Sequence, residues 1–141
     1  MLAILRRCLL LLLFPICLAS QTGAPWFGTW RMQMPANSPY KRVIMRIEPR
    51  EDGLAVLYEM VGTRGGVSHV EWVGKFDGKD YPVEGVDYFA TNAYTRIDDH
   101  TYSITAKREG QVAGTIKVSV SADGRTLTAV TNGSSTSVYV K

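Results

Sequence analysis

Two histidines and a scatter of carboxylates are the groups in this chain that could act as acids, bases or metal ligands. His69 and His100 belong to no His-Glu-x-x-His or paired-histidine pattern, so neither has the partners that a zinc site requires. Asp98-Asp99-His100 places three possible ligands side by side, but neighbours in a strand-connecting turn do not converge on one ion, and Asp is what such a turn needs. That segment reads as a solvated hairpin, and no metal is expected. His69 shares a strand face with Glu71 and Lys75, opposite Val70, Trp72 and Phe76, and is expected to be exposed. Glu59 and Glu71, each beside apolar neighbours, come nearest to an acid/base pair, and both read as outward surface carboxylates. There is no Gly-x-Ser-x-Gly, Walker loop or dinucleotide fingerprint, and Thr63-Arg64-Gly65-Gly66 is too short and turn-like to cradle a phosphate. No catalytic residue and no cofactor are assigned, and the chain is read as non-enzymatic.

Large aromatic side chains remain. Trp30, Tyr58, Trp72, Tyr94 and Tyr139, with Phe76 and Tyr102, fall where they would line or plug an apolar interior. Arg96 follows Tyr94 by two and therefore shares its face. If that face is inward, Arg96 can meet an anionic group on a ligand; if outward, it is a solvated charge. The candidate ligand-binding set is Trp30, Tyr58, Trp72, Tyr94, Arg96 and Tyr139.

The elements that must position these residues are strands. Turn signals recur after Trp26 at Asp52-Gly53, Gly65-Gly66, Asp77-Gly78, Asp98-Asp99, Glu109-Gly110, Asp123-Gly124 and Asn132-Gly133. Type I′ hairpin turns need positive φ at both central residues, which Asn, Asp and Gly tolerate. Between the turns the chain alternates: Gly114, Ile116, Val118 and Val120 continue Val112 on one face, while Tyr102, Ile104 and Ala106 share another. The spacing predicts strands at 27–32, 43–48, 54–61, 67–76, 88–97, 101–107, 112–121, 126–131 and 135–140, with a short one at 81–83. The hydroxyl-rich Ser134 to Ser137 is expected to face outward. Tight turns make the pairing antiparallel. No helical period is sustained, so the class is all-β. An up-and-down β-barrel of about 8–10 strands is expected rather than a sandwich, because closure removes exposed edges and long crossovers are lacking.

Composition frames this domain. The 141 residues are 45% hydrophobic and 21% charged, with 16 Lys+Arg against 13 Asp+Glu. Charge so balanced carries no basic footprint for nucleic acid. Arg6-Arg7, the apolar run Cys8 to Leu18 and the small residues Ala19-Ser20 have the layout of a secretory signal peptide, expected at 1–20 and removed. The apolar run is too short for a permanent membrane anchor, which needs about 20 residues. Both cysteines, Cys8 and Cys17, lie in this leader, so the expected domain at 21–141 has no disulfide or thiolate. The expected location is secreted or periplasmic.

The ends of the domain carry a family resemblance. Phe27-Gly28-Thr29-Trp30-Arg31 opens it and Ser137-Val138-Tyr139-Val140-Lys141 closes it. These segments resemble the calycins, meaning lipocalins, fatty-acid-binding proteins and avidin-like barrels, in which Gly-x-Trp opens the first strand and the indole plugs one barrel end. The Asp-Gly hairpins around Asp77-Gly78 and Asp123-Gly124 are also similar to those of small exported lipocalin-like bacterial proteins with no established activity. Two features depart from fatty-acid-binding proteins. Gln33 to Arg42 is too short for their two-helix lid, and Ser137 stands where their carboxylate-binding Arg would be. The resemblance implies a barrel that binds a small hydrophobic ligand. The alternative is an envelope or secreted interaction module whose barrel is filled by its own side chains. Oligomeric state is left open.

Overall fold

The computed structural model describes residues 23–141, which form ten strands: β1 Gly28–Met32, β2 Tyr40–Arg50, β3 Gly53–Gly62, β4 Val67–Gly74, β5 Asp80–Glu84, β6 Ala90–Arg96, β7 Thr101–Arg108, β8 Gln111–Val120, β9 Thr126–Thr131 and β10 Ser135–Val140. The signal-peptide segment at 1–20, with Cys8 and Cys17, lies outside the described residues. Every strand is antiparallel to its sequence neighbour, and β1 pairs with β10, closing an up-and-down barrel. Closure is narrow, resting on Arg31 opposite Val140 and Met32 opposite Tyr139, and is extended by the Gln33 amide donating to the Val138 carbonyl at 2.8 Å.

Alternation assigns the two faces. Met45 pairs with Tyr58, Tyr58 with Val70, Trp72 with Val83 and Val118 with Ala129, so these residues share the inner face. The short strand foreseen at 81–83 is β5, which carries Tyr81 and Val83 inward. Pro82, which has no amide hydrogen, points outward on this short strand.

Three local expectations are corrected. Only Glu109-Gly110 and Asn132-Gly133 place both central residues at positive φ. In the Asp77, Asp98 and Asp123 turns the carboxylate instead accepts the amide two residues on, at 3.0, 2.9 and 3.1 Å respectively, and this side-chain bond replaces the left-handed first residue. Val112 does not continue the inward row of β8. A bulge at Ala106/Lys107 shifts the register, and Val112 is 62% exposed. Ser135 and Ser137 stand on the inner face with Tyr139, because Ser137 pairs with Ala129 and Tyr139 with Leu127.

Gly85 shows how tightly β4 and β5 approach. Its φ is +89°, and a Cβ there would fall inside contact distance of the His69 carbonyl oxygen. Gly85→Ala is expected to lower the unfolding free energy by about 2 kcal/mol or more, from left-handed strain and strand separation combined. Urea unfolding against wild type checks this.

Candidate functional site

One end of the barrel is dry. Trp30, Leu54 and Leu127 are fully buried there, with Ile47, Val56 and Tyr102 at 1% exposure. The Trp30 indole Nε1–H donates to the Trp26 carbonyl at 2.8 Å, tying the turn before β1 across this end. Trp26 is buried against Tyr102, ring centroids 5.3 Å apart and nearly perpendicular, and against Phe76 at 5.4 Å. Trp26 was not foreseen as part of the core, because it precedes the first alternating run. Only the folding back of the 24–27 turn buries it.

From this plug an aromatic row runs along the interior. Tyr94 stacks on Tyr102 at 5.4 Å and on Trp72 at 3.8 Å, and Trp72 donates its indole hydrogen to the Asn92 carbonyl at 3.1 Å. Stacked and edge-to-face pairs at these separations add directional attraction to simple burial.

The opposite half of the interior is different. Met32, Tyr58, Met60, Val70, Val83, Asn92, Ile116, Ala129 and Ser137 all point inward by register, yet each is only half-buried. Met34, in the loop after β1, packs against the same apolar cluster. The barrel is thus plugged at the Trp30 end and more loosely lined toward the other, where Met32, Met60, Ile116 and Ala129 still pack against the buried cluster and Val43 and Ala90 are buried. Tyr58 and Tyr139 meet in the loosely lined half. Desolvation raises the pKa of both, and repulsion from a prospective Tyr139 phenolate raises Tyr58 further. Desolvation also raises Tyr94 and Tyr102, with mutual repulsion among the prospective phenolates adding to it.

Five of the six residues singled out from sequence, Trp30, Tyr58, Trp72, Tyr94 and Tyr139, therefore project into one interior. Arg96 does not join them. It shares their inward register but stands at the plugged end, where its guanidinium pairs with Asp99 at 2.7 Å and lies 5.6 Å over the Trp26 ring. The half-buried Met32, Met60, Asn92, Ile116 and Ser137 were not singled out, since alternation alone does not say where along a strand the packing loosens.

The outer wall carries its own relief. A concavity of about 610 Å³ over β1–β4 is lined by Arg46, Glu59, His69 and Glu71 around Thr29, Ile44 and Leu57, and it reaches Tyr58 and Val70 between them. Glu59 accepts from Arg42 at 2.7 Å and lies 3.7 Å from His69. Glu59 and Glu71 point outward as expected and both line this concavity. His69 and His100 are both exposed. Among the described residues, no group of three or more His, Cys, Asp or Glu is placed to hold a metal ion.

Comparison of the chain with protein-family models, with curated proteins and with solved structures finds no match in any of the three.

Proposed function

We propose that this chain is an exported, non-enzymatic, lipocalin-like barrel that binds a small hydrophobic molecule in the half of its interior away from Trp30. The observation that carries this reading is the contrast along the barrel axis. Trp30, Leu54 and Leu127 are fully buried at one end, whereas equally inward Met32, Met60, Asn92 and Ala129 are only half-buried. A stable core closes such surface unless something else covers it. The Gly-Thr-Trp opening and the closed ten-strand barrel agree with a calycin-like carrier, and export rests on the pattern of the first twenty residues.

Native mass spectrometry of residues 21–141, purified without denaturation and offered a panel of apolar probes, tests this. A noncovalent apolar adduct is expected, lost on denaturation and lost in Ala129→Trp, where an indole fills the loosely lined half. A clean mass with every probe refutes the reading.

A second reading has one observation in its favour. Tyr40, Val67, Tyr88, Phe89 and Val112 are exposed, and all lie at the rim opposite the plug, since β2, β4, β6 and β8 begin there. A protein-interaction module would use this apolar rim. The same experiment separates the two: an interaction module gives no small-molecule adduct, and Phe89→Asp abolishes its partner binding.

A further inference from the structure

We infer that the ligand taken by this interior is uncharged, an apolar molecule with one hydrogen-bonding head such as a hydroxyl or carbonyl, and not a carboxylate or an ammonium. This rests on the interior-binding reading and specifies the chemistry of that site.

The inward face is the basis. Past the end of β10 the Lys141 ammonium lies 4.9 Å over the Trp30 ring at the plugged end; read through the registers of all ten strands, the face itself carries no Asp, Glu, Lys or His among the described residues and only two arginines, Arg96 and Arg108. These two mark opposite ends. Arg96 pairs with Tyr102 and Arg108 with Ala90, which places them about 20 Å apart along β7 at the usual rise per residue. Each is also engaged locally: Arg96 with Asp99, and Arg108 over the Tyr88 ring at 4.1 Å. Arg96 is held by its ion pair at the plugged end, and Arg108 stands exposed at the opposite rim, so neither lies among the half-buried lining residues.

What the interior offers a ligand head is neutral. Tyr58 and Tyr139 present phenol hydroxyls, Ser137 an alcohol and Asn92 an amide, among methionine, valine and isoleucine side chains. A hydroxyl can both donate and accept, so it pairs with an alcohol, ketone or ester without a change of charge. A carboxylate or ammonium would instead enter an apolar wall with no opposite charge, and burying an unpaired ion costs far more than burying a neutral polar group.

A matched series with one chain length isolates the head group: dodecanol, dodecanoate and dodecylammonium at neutral pH, where the last two are ionised. Binding to residues 21–141 is read by native mass spectrometry and by quenching of intrinsic tyrosine and tryptophan emission. Dodecanol is expected to bind at least tenfold more tightly than either ion. Dodecanoate is expected to gain affinity as pH falls through its own pKa, because protonation makes it neutral. Equal or tighter binding of an ion overturns the inference and leaves interior binding standing. If neither the alcohol nor the other two bind, and the wider probe panel also fails, interior binding itself falls.

Discussion

Trp30→Ala lowers the unfolding free energy by about 3–5 kcal/mol, the range for deleting a buried large aromatic from a packed core. Three features place it near the top of that range. Trp30 has no exposed surface, so its whole side chain is lost from the interior. Its Nε1–H is the tie to the Trp26 carbonyl, and truncation leaves that buried acceptor unpaired. The Lys141 ammonium sits 4.9 Å over the indole ring, so the last residue of the chain also loses its platform. Loss of this size takes a large share of the 5–15 kcal/mol that typically separates folded from unfolded. Trp30→Phe, which keeps a ring but drops the donor, falls between wild type and Trp30→Ala. Urea unfolding followed by tryptophan emission and by circular dichroism measures all three; a loss under about 1 kcal/mol in Trp30→Ala would falsify the plug.

The second expected result is alkaline unfolding. Desolvation raises the pKa of Tyr58, Tyr94 and Tyr102 above the ordinary 10.0 in the folded chain. In the unfolded chain each returns to that ordinary value. Below pH 10 both states hold the protons, and stability is independent of these groups. Above it the unfolded state releases protons that the folded state retains, so stability falls with rising pH, by about 1.4 kcal/mol per pH unit for each tyrosine. Three such groups together remove about 4 kcal/mol per unit. A domain of ordinary stability therefore unfolds cooperatively between about pH 10 and 12. Tyrosinate absorbance and far-ultraviolet circular dichroism, recorded on the same samples, should change together. Gradual ionisation of all the tyrosines with the sheet intact would rule out a closed aromatic interior. Tyr94→Phe, which keeps the stacking partner of Trp72 and removes one ionisable group, moves the midpoint upward.

The two results probe different parts of the interior, and they differ in how far they could be foreseen. Trp30 was legible because Gly28-Thr29-Trp30 opens the first alternating run, and a large indole at a strand position is apolar payload wherever the strand lies. Tyr58, Trp72, Tyr94 and Tyr139 were legible for the same reason. Arg96 was legible as a residue on the face of Tyr94 but not as a cap on Trp26, since a strand's face continues past the point where the barrel ends. Val112 was misplaced because a single bulge at Ala106/Lys107 reverses the faces beyond it. Ser137 was placed outside because hydroxyls favour solvent, whereas its register with Ala129 carries it inward.

Period-two alternation and turn residues at short intervals are local properties, written within a few positions of one another. They suffice for ten antiparallel strands at nearly the right places, because backbone hydrogen bonding and turn geometry act over the same short range. Alternation is symmetric between the two faces, however, and says nothing of what covers either one. Closure of β1 on β10 decided that, by pairing Met32 with Tyr139 across more than a hundred residues of chain. The same closure set Trp26 under Arg96 and Tyr58 against Tyr139. It left one half of the interior packed and the other loosely lined, because how fully a barrel fills depends on side chains from all ten strands at once.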